Sequence, residues 1–420
     1  MLLSKPKKAI GLDMGTHSVK AVQMSRSGGR LCVDEVGFAL LDRGQVNADP
    51  VAAHVEAVRA AVAHMAVERS YIVAAMPGQT VVIRYPRLPE GAADDIGAAI
   101  EREAGQNIPY ELDEVSLDWT LLEQVQEGEE QQLKVLLVAA KHESIDSRVQ
   151  VLQDAEIPCS ALGVDSLALA NAAEGCDFLR VGETVALVNI GLTSASIHFV
   201  KDGVSNFIRD VNWGARELIH AIAKELRCEY EDAEKKLQEA AFEPEEPTPE
   251  PVAEEIPEAV ESEPNEFGDD PFGVPDSQAG GSLLDPLDDE SGGFGAPPTP
   301  SGMGMSGGGL GSMGGQRDIR EILAAPLARM VSEIRRSFDY YEHQLYERPV
   351  DRLILCGGVA HIPMIGETLM EELGVESVEV ADPTSSALVL GDDQAMGELL
   401  LYPSQFMVAV GLAARGMADL

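Results

Sequence analysis

Residues 9–25 read AIGLDMGTHSVKAVQMS, and residues 185–203 read VALVNIGLTSASIHFVKDG. Each stretch predicts two strands joined by a tight turn of Gly, Thr and Ser. Aligned at an offset of 176 residues, Asp13 faces Asn189, Gly15 faces Gly191 and Ser18 faces Ser194. The shared pattern is an acid or amide, an apolar residue, glycine, two residues, then serine. A repeat of this kind predicts two related domains that each contribute one hairpin. Taken singly, either hairpin is equally an ordinary turn with good turn residues.

The chemistry that suits the pair is phosphate binding. Glycine at 15 and 191 lets backbone N–H groups approach a ligand closely, and successive turn amides form an anion nest. Hydroxyls at Thr16, Ser18, Thr193 and Ser194 add donors. Asp13, ending the first strand, is placed to hold Mg²⁺ through water, because Mg²⁺ keeps much of its hydration shell. Lys20 is a nearby cation that can neutralise phosphate charge. A third element is LILCGG (353–358), a buried strand ending in Gly357-Gly358 before a helix. It reads as a close backbone approach to a flat ring or ribose, or as a plain strand-to-helix turn.

Outward from these motifs, short β-rich runs alternate with helical patterns, the signature of an α/β fold. YIVAAMPG, VVIRYPRL and LKVLLVAAK read as strands. Residues 51–67, 92–104, 145–155 and 166–173 read as helices, the last with Asp165 or Ser166 as N-cap. A helical stripe runs from Ile319 to Leu345, in which Pro326 should mark a kink or the true start. Residues 364–373 predict a helix, VESVEVADP a final strand, and 403–415 a closing apolar helix.

Composition narrows the function. The chain has 420 residues and a formal charge of −40, long enough for two cores, since one core rarely exceeds roughly 250–300 residues. That charge repels phosphate backbones and disfavours nucleic acid or an anionic leaflet as a partner. Five scattered cysteines form no CxxC pair, which fits a reducing cytosol. MLLSKPKKAIG has no apolar core of a signal peptide, and no apolar run approaches 18 residues. Residues 242–316 hold 17 acids, 12 prolines, 15 glycines and no Lys or Arg. Such a stretch cannot bury enough apolar surface to offset its ordering entropy, so it reads as a disordered insert. It is either a solvated tether or a docking segment anchored by Phe267, Phe272, Leu283, Leu284 and Leu287.

With two phosphate-type hairpins followed by a Gly-Gly loop, the sequence resembles the actin-like ATPase superfamily. More closely it resembles the PilM family of type IV pilus assembly proteins, relatives of the cell-division protein FtsA. The stretches that carry this are 74–89 (AAMPGQTVVIRYPRLP), 99–119 (AIEREAGQNIPYELDEVSLDW), 135–172, 333–341 (EIRRSFDYY) and 407–416 (MVAVGLAARG). The resemblance implies two actin-like, ribonuclease-H-like domains, 1–180 and 181–420, around a cleft for ATP and Mg²⁺. It implies an FtsA-like small subdomain at about 75–160. It also implies a cytoplasmic protein recruited to the inner membrane through partners. The main one is the N-terminal cytoplasmic peptide of a PilN-type bitopic protein, alongside other pilus assembly proteins. Whether the chain forms a homo-oligomer stays open.

The resemblance carries over residue by residue. Asp13, Gly15, Ser18 and Lys20 match the first phosphate motif. Gly191 and Thr193 match the second, but Asn189 stands where the family has Asp, and an amide lacks the charge to stabilise Mg²⁺ or polarise water. Gly214 keeps one glycine of a Gly-Gly segment whose later Thr is Ile219 here. Glu234 and Lys236 stand for the nucleoside-side acid and lysine, with Lys236 one position early because Leu237 holds the usual lysine's place. These departures favour nucleotide binding over hydrolysis, with the nucleotide as a conformational ligand. The alternatives are a sugar or acyl kinase, which needs a base near Asn189, and an FtsA-like filament former, against which GLAARGMADL offers no basic amphipathic helix. His17, in the phosphate turn, reads as a solvent-facing residue or as an anion contact, and Cys356 as a small core residue.

Overall fold

In a computed structural model the described residues are 7–127, 130–240 and 318–418. The acidic stretch 242–316, with its expected disorder and apolar anchors, lies outside them. Fifteen strands are described. They are β1 (Lys8–Met14), β2 (Ser18–Ser27), β3 (Arg30–Leu40), β4 (Ser70–Met76), β5 (Val81–Arg84), β6 (Arg87–Pro89), β7 (Val115–Glu127) and β8 (Glu130–Lys141). Then come β9 (Ala161–Val164), β10 (Thr184–Ile190), β11 (Ala195–Lys201), β12 (Val204–Val211), β13 (Arg352–Gly357), β14 (Ser377–Val380) and β15 (Val389–Leu390).

Two sheets repeat one topology. The first has the order β15-β3-β2-β1-β4-β9, the second β12-β11-β10-β13-β14. In each, an antiparallel three-stranded meander is followed by two parallel strands. The hairpin repeat read in the sequence is therefore a duplication of whole sheets, as two related domains require. Both sheets are covered on both faces, which is why their central strands read as continuous apolar runs. Ala186, Val188 and Ile190 face helices 216–226, 230–239, 319–339 and 363–373. Val185 and Leu187 point the other way, into a core shared with Ala9 and Val73 of the first sheet. Helices 165–175 and 407–418 fill that shared layer between the sheets. Ile10 and Leu12 face the outer helices 50–61 and 142–154.

A third, small sheet has β8 at its centre, with β7 along one side and β5 and β6 along the other. It has its own core, with Ile100 and Ala104 of helix Ile96–Asn107 packed on Leu133, Val135 and Leu137. This core draws on residues 88–139. Helix His142–Asp154, placed in the subdomain by the sequence boundary at 160, packs instead under the first sheet through Val151 and Leu152.

Several local expectations shift. VVIRYPRL is two strands, broken at Tyr85-Pro86, where proline cannot donate to the ladder. Pro326 does not start its helix. Asp318 caps it by accepting from the Arg320 amide, and Pro326 is buried inside Ile319–Asp339. The last segment also departs from the expected boundary at 181. β15 pairs with β3, and the helix at 407–418 packs on β1 and β4. Gly11 permits this, because a side chain there would run into the Ala409 carbonyl. The chain thus returns to its first sheet.

Candidate functional site

The hairpins are alike in backbone. In the first, Asp13 pairs with Lys20 in register, and the Gly15 amide donates to the Ser18 carbonyl at 3.1 Å. In the second, Asn189 pairs with Ser196, and the Gly191 amide donates to the Ser194 carbonyl at 2.9 Å. The fold brings the two turns together. Thr16 Oγ1 and Thr193 Oγ1 lie 3.3 Å apart although 177 residues separate them. A cavity of about 360 Å³ opens at this junction, within the roughly 300–1,000 Å³ usual for small-molecule sites.

Twelve of the residues expected from sequence line the cavity: Asp13, Gly15, Thr16, Ser18, Lys20, Asn189, Gly191, Thr193, Ser194, Glu234, Gly357 and Gly358. Two do not. Gly214 packs behind the second turn, where a side chain would strike the Leu192 backbone. Lys236 is half-buried on helix Tyr230–Glu239 and outside the lining, while Leu237 and Gln238 face inward. Gly357 has φ +97°, and a side chain there would meet the Ile190 carbonyl. The next amide, Gly358, donates to that same carbonyl at 3.2 Å. The Gly-Gly loop is therefore fastened to the end of β10, and Gly358 faces open space. Ile219, Leu237, Ile362 and Val408 form an apolar wall.

The polar floor is richer than the hairpins suggested. Lys20 Nζ lies 3.4 Å from Asp13 Oδ2, both largely buried. Arg148 reaches the Met14 carbonyl at 3.4 Å, and burial lowers its pKa against the pull of Asp13 and Asp165. Asp165 and Asp210 also line the cavity. Burial, then the charges of Asp210 and Asp13, push the Asp165 carboxyl up to about 7. Burial pushes Asp210 up to about 6. Neither Asp165 nor Ser166 is the helix N-cap, a position that Val164 holds. Asp165 Oδ1 instead accepts from the Gly78 and Ser166 amides at 2.8 and 2.6 Å. Gly78 is wedged between these acids, since a Cβ there would lie 2.6 Å from Asp210 Oδ2.

Gly78 leads directly into the small sheet, which is tied to β12. Tyr85 Oη and Ser205 Oγ are 2.7 Å apart, Ser205 Oγ is 2.7 Å from His198 Nε2, and His198 Nδ1 is 2.9 Å from the Ser166 carbonyl. Burial holds His198 down at about 4, so the ring is neutral at pH 7. Its Nδ1–H donates to the carbonyl, Nε2 accepts from Ser205, and Tyr85 donates to Ser205. Lys134 also donates to Asn206, and Gln79 donates to Asn212 at 3.0 Å.

His17 is not simply solvent-facing. It is half-buried, lines the cavity, and its Nδ1 lies 3.6 Å from Glu234 Oε1. Burial lowers its pKa. Cys356 is a fully buried core residue. Asp165, Asp210 and Arg148 escaped the sequence reading. The available signal was an acid at each strand end facing the same cleft, in GVDS and IRDVNWG.

Among the described residues no three of His, Cys, Asp and Glu converge to hold a metal ion directly. Hard oxygen donors at Asp13, Asp165 and Asp210 suit Mg²⁺ held through its own waters and a ligand phosphate. No helix among the described residues is long and apolar enough to cross a membrane.

Comparison with known proteins agrees with this architecture. A solved structure described as the PilM–PilN type IV pilus biogenesis complex matches with a TM-score of 0.68 at 20% identity, covering 97% of this chain and 98% of that one. The ethanolamine utilization protein EutJ from Carboxydothermus hydrogenoformans matches at 0.48 and 12% identity, covering 98% and 90%. MreB 5 of Spiroplasma citri, bound to AMPPNP, matches at 0.44 and 11%, covering 97% and 95%. The first of these shares the fold. The sequence itself matches the family described as type IV pilus assembly protein PilM over residues 11–259 and 315–417, an interruption that falls inside the acidic stretch. With that match over most of its length, the chain belongs to the PilM family of type IV pilus assembly proteins.

Proposed function

We propose that the cavity binds ATP with Mg²⁺, and that the protein is a nucleotide-dependent scaffold of the pilus assembly platform. The observation that carries this is the 3.3 Å meeting of Thr16 and Thr193, which turns two glycine bends into one donor-lined clamp. Amides and hydroxyls of both turns would hold the triphosphate, with Lys20 offsetting its charge. Asp13 would hold Mg²⁺ through water, and the ion would neutralise phosphate charge. The apolar wall of Ile219, Leu237 and Ile362, opposite Gly358, suits the adenine ring. Glu234 would face the nucleoside side.

A ligand gripped by both halves favours the closed arrangement by its differential affinity for it. Gly78 and the Tyr85–Ser205 contact give that closure a route to the small sheet. We infer that the partner is the N-terminal cytoplasmic peptide of a PilN-type bitopic protein, which would bring the chain to the cytoplasmic face of the inner membrane. Turnover has one observation in its favour, since Asp165, poised near neutrality in the cavity, has the character of a general base.

The test is co-purification of the full chain with a PilN N-terminal peptide, with and without Mg²⁺·ATP. Capture that changes at least about threefold with nucleotide is expected. No capture in either condition contradicts the scaffold reading, and capture blind to nucleotide contradicts the conformational role. A coupled ATPase assay with a panel of sugars separates the kinase reading, for which stimulation by one sugar is required.

A further inference from the structure

Beside the cavity, an arginine of the first half pairs with a helix of the other half, and one of its partners, Glu234, lines the cavity. Arg43 opens the short helix Arg43–Ala48 that follows β3 of the first sheet. Its partners lie on helix Tyr230–Glu239 of the other half, nearly 190 residues away. Arg43 NH2 donates to Glu234 Oε2 at 2.6 Å, and NH1 reaches Glu231 Oε1 at 3.4 Å. The guanidinium lies over the Tyr230 ring at 3.7 Å from its centroid. Glu234 also faces His17 of the first turn, and both line the cavity. An exposed ion pair alone holds little. Here a planar fork with two acids and an aromatic face beneath it acts at one point.

We propose that Arg43 is a latch: its release from Tyr230, Glu231 and Glu234 is the step that lets a ligand enter and leave the cavity. This rests on the reading that the cavity takes a nucleotide. Arg43 lies outside the cavity lining, so the latch sets the rate of exchange more than the equilibrium grip. Removing it speeds entry and exit together. Glu234 belongs to both the latch and the cavity wall, which links opening to the ligand's nucleoside side.

The test uses the full chain carrying Arg43→Ala, with Tyr230→Leu as a second variant that keeps an apolar contact but removes the π face. Arm one needs no nucleotide. Hydrogen–deuterium exchange of segments 43–48 and 230–239 is measured in ligand-free protein. Exchange faster by roughly 3-fold or more in Arg43→Ala, with an unchanged melting temperature, is expected. Arm two follows release of a fluorescent ATP analogue chased with excess ATP and Mg²⁺. Release about 5–20-fold faster in Arg43→Ala and about 2–5-fold faster in Tyr230→Leu is expected, with affinity within about 3-fold of the parent. Unchanged exchange in arm one overturns the latch. Faster exchange there with unchanged release overturns its control of the cavity. Failure of the parent protein to bind the analogue at all overturns the nucleotide reading, and the latch then stands or falls on arm one.

Discussion

The two hairpins share a backbone and differ in charge. Each turn closes with a glycine amide donating to a serine carbonyl three residues on. Yet the first pairs Asp13 with Lys20, where the second pairs Asn189 with Ser196. The lesson is a division of labour. Backbone geometry suited to an anion is duplicated, while of the two strand-end positions only the first carries a carboxylate suited to a cation. The extra acids Asp165 and Asp210, which flank Gly78, come from neither hairpin.

The sharpest way to break this comparison is to remove each strand-end side chain in turn. Asp13→Ala is expected to weaken Mg²⁺-dependent binding of a fluorescent ATP analogue by about 100-fold or more, whereas Asn189→Ala weakens it by about 10-fold at most. Equal losses would mean that the two hairpins are equivalent after all. Titration of each variant with the analogue, with and without Mg²⁺, decides it.

Stability against pH separates the floor acids from the hairpins. The Asp165 carboxyl, raised to about 7, favours its protonated form in the folded state. That contribution is fully present below the unfolded value near 4 and is lost as pH rises through about 7. Asp165→Asn keeps an acceptor for the Gly78 and Ser166 amides and removes the buried charge. The variant is expected to gain about 2–4 kcal/mol over the parent at pH 8 and little at pH 4. Urea unfolding at the two pH values checks this, and a parent stability that climbs from pH 4 to 8 in step with the variant's would refute it.

A smaller effect sharpens the asymmetry. Asn189→Asp gives the second hairpin the acid that Asp13 supplies in the first, where a side chain on Gly357 would meet the Asn189 Oδ1. Mg²⁺ dependence of analogue binding is expected to steepen by about 3–10-fold, because a second carboxylate joins the same cavity. No change would show that charge at this position is immaterial. The smallest effect is expected from deleting 242–316, which should move the melting temperature by less than about 2 °C by calorimetry. A large drop would mean that this stretch contributes to a core.

How much of this was legible follows from where each signal resides. A glycine bend between two apolar strands is local, so both hairpins and the α/β class could be read directly. The repeat offset then implied paired domains. The Gly357-Gly358 turn was local too, and φ +97° at Gly357 explains its glycine. Asp165 looked like a helix cap because acids favour that position. Its real partner, the Gly78 amide, comes from another strand end. Lys236 came one position early for its motif, and the helix presents Leu237 and Gln238 to the cavity instead. Arg43 carried no motif at all, and its role depends on a helix nearly 190 residues away. The return of β15 and the terminal helix to the first sheet was equally invisible, since an apolar helix does not announce which sheet it will cover.

The most direct measurement is a crystal structure of the full chain grown with Mg²⁺ and a non-hydrolysable ATP analogue. The expected result is a triphosphate lying between the Gly15 and Gly191 turns, Mg²⁺ on the Asp13 side with waters between them, and the base against Gly358. Phosphates bound elsewhere, or turns that part and leave the cleft between them empty, would contradict it.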